Sequence, residues 1–183
     1  MTCIVGVIDQ TGNVIMGGDS AGVDGHYNVV IRKDPKVFRV GDMLIGMTSS
    51  FRMGNLLRFH LTPPLHPDKM DTFEYMITQF IPAVRTCLKE GAYITVKDGV
   101  ESGGTWLVGY RNRLFKIEND FQVAENTMTF ESVGCGAPYA MGYMWNNTQC
   151  ADGTSLVTNA LQCAASFSAG VYGPFTIEIL RAT

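Results

Sequence analysis

The sequence predicts an α+β fold in which two mainly antiparallel sheets are each covered by a pair of helices, giving a four-layer αββα sandwich. Its 183 residues can bury one substantial core but are few for two full domains, so residues 1–183 are taken as a single domain. Four strand-like runs precede the first helical pattern, which disfavours a doubly wound parallel sheet, because strands and helices alternate from the start of that fold. Two sheets with two helices each would bury every apolar face in the observed order.

Strands predominate in the first fifty residues. Short apolar runs alternate there with turn residues such as Gly41-Asp42, which is the pattern of β-hairpins. The predicted strands are 3–8, 14–17, 36–40 and 43–46.

The next forty residues predict two helices. Apolar residues recur at helical spacing from Phe51 to Leu61, and Thr62-Pro63-Pro64 ends this first segment. A second apolar stripe covers residues 71–90, where Pro82 predicts a kink.

The second half of the chain repeats the order of strands followed by helices. The apolar helix that begins near Pro138 carries Met141, Met144 and Trp145, and we expect it to pack in the core rather than at an interface. The predicted strands are 104–110, 114–117, 128–133 and 175–180, and the predicted helices are 138–145 and 153–166.

Charge and composition argue against several classes of function. The formal net charge of -3 offers no basic surface for phosphate groups, so nucleic acid is not an expected partner. The apolar start of the chain lacks basic residues and ends at Asp9, too soon for a signal peptide or a membrane span. These features predict a cytosolic protein without a membrane partner.

The cysteines and histidines show no metal-binding pattern. The 3 histidines lack ligand spacing, and the cysteines are odd in number and lack CxxC spacing, so we expect reduced thiols, no metal and no cofactor. The 5 cysteines are Cys3, Cys87, Cys135, Cys150 and Cys163.

Thr2 is the first candidate catalytic residue. A small second residue usually permits removal of the initiator Met1, which would leave a threonine with both a hydroxyl and a free α-amine. An α-amine has a pKa of about 7.7 to 8.0, so it can accept the hydroxyl proton near neutral pH. This is how an N-terminal threonine becomes a nucleophile. Since many unrelated chains start Met-Thr, the prediction depends on the residues that follow.

Several motifs follow Thr2 in a characteristic order. They are Gly17-Gly18-Asp19-Ser20, Lys36-Val37, Gly46-Met47-Thr48-Ser49-Ser50, the segment 132–140 (SVGCGAPYA) and Thr176-Ile177-Glu178. With these motifs the chain resembles the proteasome β-subunit family of N-terminal nucleophile (Ntn) hydrolases over nearly its whole length. Within that family it is most similar to the HslV-type peptidases of bacterial ATP-dependent proteases.

The resemblance implies a threonine endopeptidase with the Ntn hydrolase fold. Thr2 would attack the scissile carbonyl and form an acyl-enzyme ester. Lys36 would lower the proton affinity of the Thr2 hydroxyl and amine, and Asp19 would keep Lys36 charged and oriented. The main-chain N–H at Ser49 would serve as an oxyanion-hole donor, although the family usually has glycine at this position.

Other positions are implied in supporting roles. Cys135 stands where the family has a serine beside the Thr2 amine, and a thiol is the weaker hydrogen-bond partner. Ser168 retains the serine of a late family motif, whereas the carboxylate of that motif is replaced by Ala165. Four residues are implied to line the first specificity pocket, which suggests apolar side chains before the cleaved bond; they are Ala21, Gly22, Val23 and Met47.

Three alternatives stay open at the level of sequence. Ser49, Cys135 and Ala165 fit a catalytically silent, proteasome-like structural subunit. Asp19 and Lys36 could form a structural salt bridge only. Residues 18–22 fit the G-x-S-x-G elbow of serine esterases, but no helix is predicted after them and no histidine follows His66.

The resemblance also implies partners. We expect peptides or unfolded proteins as substrates, a homo-oligomeric ring that encloses the active sites, and a separate AAA+ ATPase unfoldase that feeds it.

Overall fold

The computed structural model describes residues 1–148 and 152–182, so Cys150 lies outside the described residues. The elements of the first half are β1 (Cys3–Ile8), β2 (Val14–Gly18), β3 (Ala21–Val23), β4 (Val29–Ile31), β5 (Val37–Val40), β6 (Met43–Met47), α1 (Phe51–Phe59), α2 (Thr72–Tyr75), a π-helical turn (Met76–Phe80) and α3 (Ile81–Glu90). Those of the second half are β7 (Thr95–Lys97), β8 (Val100–Ser102), β9 (Trp106–Tyr110), β10 (Arg113–Ile117), β11 (Val123–Glu125), β12 (Phe130–Gly134), α4 (Ala137–Asn146), α5 (Gly153–Phe167) and β13 (Thr176–Leu180).

Two antiparallel sheets form the centre of this mixed α/β structure. The first sheet has the strand order β12-β1-β2-β13, and the second has the order β11-β10-β9-β6-β5. Two further ribbons, β3–β4 and β7–β8, have two strands each. The prediction of mainly antiparallel sheets is therefore confirmed.

Buried apolar side chains form three clusters that show what packs on what. One cluster joins the second sheet to α1 and α3, and another joins the first sheet to α4 and α5. The third draws Ile4 and Met16 from the first sheet and Leu44 and Leu107 from the second, so these two sheets pack against each other. Gly46 lies at this contact, where an added Cβ would collide with Ile4.

The helix predicted at 71–90 is present as α2, the π-helical turn and α3. Asp71 caps its start, since the carboxylate accepts hydrogen bonds from the N–H groups of Phe73 and Glu74. The π-helical turn lies immediately before the α3 segment that contains Pro82. A proline has no N–H for the helical ladder, so the irregularity falls where the sequence predicted a kink.

Several elements differ from the prediction. The ribbons β3–β4 and β7–β8 and the short strand β11 were not predicted, because strands of three residues are too short to show a clear apolar alternation. The helix near Pro138 is core only on one face: Met144 is buried, whereas Trp145 is 63% exposed. Within the described residues, no helix combines the length and apolar content that crossing a bilayer requires.

Candidate active site

The two sheets bring the ends of four strands together around Thr2. Thr2 directly precedes β1, and Asp19 directly follows β2, the neighbour of β1 in the first sheet. Cys135 directly follows β12, the other neighbour of β1, while Lys36 precedes β5 of the second sheet. Residues from distant parts of the sequence therefore meet at a single end of the sheet pair.

Lys36 links the Thr2 hydroxyl to a buried carboxylate. Its Nζ donates hydrogen bonds to Thr2 Oγ1 at 3.1 Å and to Asp19 Oδ1 at 2.8 Å. Lys36 and Asp19 are each only 1% exposed. Asp19 also accepts from the main-chain N–H groups of Cys3 and Ala21, both at 2.9 Å. The buried carboxylate is thus paired with a cation and accepts hydrogen bonds at both of its oxygens.

Burial changes the acidity of the Lys36 ammonium. Removal from water lowers the pKa of Lys36 below its ordinary value, and the nearby Asp19 carboxylate only partly opposes this effect. The ammonium that donates to the Thr2 hydroxyl consequently holds its protons less tightly than an exposed lysine would.

A second group of contacts surrounds the Thr2 nitrogen. The Thr2 N–H donates to Cys135 Sγ at 3.3 Å, and the Ser168 hydroxyl donates to the same sulfur at 3.3 Å. The Cys135 thiol in turn donates to the Thr2 carbonyl oxygen at 3.4 Å. Gly134 allows this close approach: its φ is 98°, and a Cβ there would collide with the Thr2 carbonyl oxygen.

Met1 contacts both Thr2 and Gly170. Its carbonyl oxygen accepts a hydrogen bond of 2.5 Å from the Thr2 hydroxyl, and its side chain packs so closely on Gly170 that a Cβ at Gly170 would collide with it. While Met1 is attached, the Thr2 nitrogen belongs to a peptide bond and cannot act as a base.

The turn before α1 has the geometry expected of a glycine position. Ser49 adopts a φ of 64°, in the left-handed region, and its Oγ accepts a hydrogen bond of 3.1 Å from the Thr105 N–H. Ser50, and not Ser49, caps α1, since Ser50 Oγ accepts from the Arg52 N–H at 3.1 Å. Ser49 is exposed, and none of the described residues accepts a hydrogen bond from its main-chain N–H.

Comparison with solved structures shows which fold the chain shares. BPH from Thiobacillus denitrificans matches with a TM-score of 0.82 and 20% identity, over 100% of this chain and 99% of that one. A structure of BPH in complex with epoxomicin matches with a TM-score of 0.78 and 22% identity, over 100% of both chains. HslV from Trypanosoma brucei matches with a TM-score of 0.67 and 18% identity, over 98% of this chain and 99% of that one.

This chain has the proteasome-type Ntn hydrolase fold. The likeness is one of structure, because no protein-family model and no curated protein matches the sequence. Roles for Thr2, Asp19, Lys36, Ser49, Cys135 and Ser168 in a proteasome-type mechanism stay predictions, although the structure brings Thr2, Asp19, Lys36, Cys135 and Ser168 into direct or shared hydrogen bonding.

The residues implied in substrate binding differ in accessibility. Gly22 and Val23 of β3 are half-buried, whereas Ala21 is fully buried. Met47 is only 4% exposed and packs against α1, where a Cβ at Gly54 would lie 2.9 Å from its sulfur. Ala21 and Met47 therefore lie beneath the surface, whereas Gly22 and Val23 form part of the surface itself.

The serine-esterase alternative does not fit the structure. Ser20 lies between two strands and is followed by β3, whereas a nucleophile elbow leads into a helix. The Ser20 hydroxyl is also committed, because it donates to the carbonyl oxygen of Pro174.

The sequence analysis did not single out the cationic neighbour of this site. The Arg32 guanidinium carbon lies 3.8 Å from the centre of the Phe51 ring, and Lys36 Nζ lies 5.7 Å from the same centre. The available signal was the charged run Arg32-Lys33-Asp34 just before Lys36, but its position over the start of α1 depends on tertiary packing.

Proposed function

We propose that this protein is a threonine endopeptidase that uses Thr2 as an N-terminal nucleophile once Met1 has been removed. The observation that carries the proposal is the position of the Lys36 ammonium, 3.1 Å from the Thr2 hydroxyl and 2.8 Å from the Asp19 carboxylate in a buried site. A hydroxyl beside a buried, paired ammonium is the environment that a threonine nucleophile requires.

The freed α-amine of Thr2 acts as the base in the proposed reaction. It takes the hydroxyl proton, and Thr2 Oγ1 attacks the carbonyl carbon of the scissile peptide bond. The Lys36 charge favours the alkoxide character that develops on Thr2 Oγ1. The protonated amine then gives its proton to the leaving amine, which breaks the peptide bond and leaves an ester on Thr2.

Hydrolysis of the ester completes the proposed cycle. The Thr2 amine takes a proton from a water molecule, whose oxygen attacks the ester carbon. The amine then returns this proton to Thr2 Oγ1 as the ester bond breaks and the carboxyl product leaves. The exposed Ser49 N–H serves as the donor to the oxyanion in both halves of the reaction. Loss of one such donor typically lowers the rate about 100- to 1,000-fold. Cys135 and Ser168 orient the Thr2 amine through the sulfur that both contact.

The proposal extends to architecture and partners. We propose an αββα order of four layers within a single domain, homo-oligomeric rings that enclose the active sites, and a cytosolic location. Substrates are peptides or unfolded proteins delivered by an AAA+ unfoldase. Support comes from the three core clusters, from the proteasome-type fold and from the free thiols among the described cysteines. Native mass spectrometry of the purified chain tests the ring, because a closed ring predicts the mass of one discrete oligomer.

A silent structural subunit is the second candidate. Two observations favour it: the weak thiol partner Cys135 beside the Thr2 nitrogen, and the hydrogen bond that engages the Thr2 hydroxyl with the Met1 carbonyl. The two candidates differ in whether Thr2 of the purified protein, freed of Met1, reacts as a nucleophile.

Intact-protein mass spectrometry after incubation with epoxomicin, a peptide epoxyketone, separates the two candidates. A peptidase loses the mass of Met1 and gains one adduct, which peptide mapping places on Thr2. The adduct is expected to be absent from Thr2→Ala and present in Thr11→Ala, a surface threonine control. Absence of the adduct, whether or not Met1 is retained, would refute the peptidase and support the silent subunit.

A further inference from the structure

A guanidinium group stands at the edge of the proposed active site. Arg32 follows β4, and its main-chain N–H donates to the Ser20 carbonyl at 2.8 Å, which fixes it to the loop after Asp19. Its guanidinium carbon lies 3.8 Å from the centre of the Phe51 ring at the start of α1. This distance is typical of a cation–π contact, so Arg32 spans the space between the loop after β2 and the turn before α1.

The distance from Arg32 to the nucleophile can be bounded. The Phe51 ring centre lies 5.7 Å from Lys36 Nζ, and this Nζ lies 3.1 Å from Thr2 Oγ1. Together with the 3.8 Å from Arg32 to the ring, these steps place the guanidinium carbon within about 13 Å of Thr2 Oγ1. An extended chain advances about 3.3 to 3.6 Å per residue, so a substrate residue within about four positions of the cleaved bond reaches Arg32.

The shape of β3 leaves room for this side chain. A Cβ at Gly22 would lie 2.9 Å from Arg32 Cδ, so the aliphatic part of Arg32 covers Gly22. Gly22 belongs to the half-buried segment that the sequence resemblance assigned to substrate binding. The Arg32 side chain is 37% exposed, so its charged end reaches the surface beside Gly22.

Part of the guanidinium is free to bind a ligand. Arg32 Nε and Nη2 donate to the Asp34 carboxylate at 2.9 and 2.7 Å, whereas Nη1 has no acceptor among the described residues. The hydrogen bond from Arg32 is the main factor that lowers the pKa of Asp34, and Arg58 acts in the same direction. Two cations, Arg32 and Arg58, therefore act on this one carboxylate.

We propose that Arg32 selects substrates that carry an acidic side chain within a few residues of the cleaved bond, through donation from its Nη1 to the substrate carboxylate. Arginine suits this task because its planar fork can bind two carboxylates on different edges. The inference rests on the proposed function and adds a charged position to the apolar pocket expected from the sequence.

Peptide binding to the full-length Thr2→Ala variant tests the proposal without any cleavage. The probes are fluorescent peptides that differ only in Glu or Gln at one of the four positions on either side of the bond to be cut. Fluorescence anisotropy at low salt is expected to show about 3- to 10-fold tighter binding of one Glu peptide than of its Gln counterpart, and the difference shrinks in high salt. The difference is expected to vanish in Thr2→Ala/Arg32→Gln.

Arg113 provides a matched control. It also pairs with a carboxylate, that of Glu125, and lies 5.1 Å from the Phe115 ring centre, but on the strand β10. Arg113→Gln in the Thr2→Ala background is expected to leave the Glu-to-Gln ratio unchanged.

Asp34→Asn tests the sign of the selection. This change releases a second edge of the Arg32 guanidinium, so preference for the Glu peptide is expected to rise about twofold or more. Equal affinities for the Glu and Gln peptides, including no binding of either, would overturn the proposal. Tighter binding of a Lys peptide that is lost in Asp34→Asn would also overturn it. Failure of the proposed function appears separately, as the absence of an epoxomicin adduct in the unmodified sequence.

Discussion

Replacement of Lys36 by methionine separates the chemical role of its charge from its structural role. The side chain is 1% exposed and similar in length to methionine, so the change removes the charge with little change in volume. It leaves Asp19 buried without its counter-ion, although two main-chain N–H groups, those of Cys3 and Ala21, still donate to the carboxylate.

The expected loss of stability follows from these contacts. Removing one partner of a buried ion pair typically lowers the free energy of unfolding by about 3 to 5 kcal/mol, because an unpaired charge stays in the interior. The two retained N–H bonds and the apolar side chain that replaces the ammonium reduce this loss, so Lys36→Met is expected to destabilise the fold by about 3 kcal/mol. Asp19→Asn leaves the Lys36 ammonium unpaired and also turns an amide NH2 toward a main-chain N–H. A loss of about 4 kcal/mol is expected for it.

The double variant Lys36→Met/Asp19→Asn removes both charges. Only the imperfect amide contact stays, so the expected loss is about 2 kcal/mol, well below the sum of the single changes. Urea unfolding followed by tryptophan fluorescence measures all four free energies, with the dependence on urea concentration checked for constancy. Additive losses would refute the conclusion that Lys36 and Asp19 form a coupled buried pair.

Labelling by epoxomicin gives the second readout of the same cycle. Both single variants and the double variant are expected to react at least about 100-fold more slowly, since none keeps a paired ammonium beside the Thr2 hydroxyl. If the double variant recovers stability but not its reaction with epoxomicin, the charge of Lys36 is needed for the reaction itself. A fast reaction in Lys36→Met would refute the role of Lys36 in activating Thr2.

Three further predictions concern the surroundings of Thr2. Burial raises the pKa of the Cys3 thiol from 9.0 to about 12, so its contribution to stability is complete below pH 9 and is lost as the pH rises toward 12. Between pH 9 and 10.5, the free energy of unfolding is expected to fall less steeply with pH in Cys3→Ala than in the unmodified chain. The difference in slope is about 1 kcal/mol per pH unit, and equal slopes would contradict this. Cys135→Ser is expected to increase the rate of epoxomicin labelling about threefold, because a hydroxyl is a stronger partner than a thiol for the Thr2 amine, and a slower reaction would show that the thiol itself is needed. Gly134→Ala is expected to lower the free energy of unfolding by about 2 kcal/mol or more, because its φ of 98° disfavours a side chain and the Thr2 carbonyl lies in the way; urea unfolding checks this, and an unchanged midpoint would contradict it.

The sequence was sufficient to predict the large sheets and the long helices. Both strands of the hairpin β1–β2 are apolar along nearly their whole length, and all but one of their residues are buried. Such runs, bounded by turn residues, are strong signals because both faces of the strands are covered. The helical stripe of α5 is equally clear, and its buried residues repeat at intervals of three and four.

The site could be predicted only in part. Thr2, Asp19 and Lys36 were found through the order of motifs, but no local pattern states that residues 34 positions apart lie 3.1 Å from each other. The position of Arg32 over Phe51 was missed, because it depends on how the end of β4 packs against the start of α1. The β3–β4 ribbon that carries it has an exposed strand with no alternation between buried and exposed residues.

Three features around Thr2 are unfavourable for stability taken by themselves. Lys36 is a buried charge, Ser49 holds a left-handed φ that glycine would adopt more easily, and Gly134 is a strand residue that has no side chain to pack. Replacing a buried ion pair by apolar residues of similar volume is often neutral or stabilising, so a subunit that only fills a place in an assembly has no need of Lys36 and Asp19. The first two of these features lie where the proposed reaction needs a cation and an oxyanion donor, and the third leaves space for the main chain of the nucleophile. Their coincidence favours the peptidase over the silent subunit, and it predicts that Lys36→Met/Asp19→Asn loses the epoxomicin reaction while it keeps the fold.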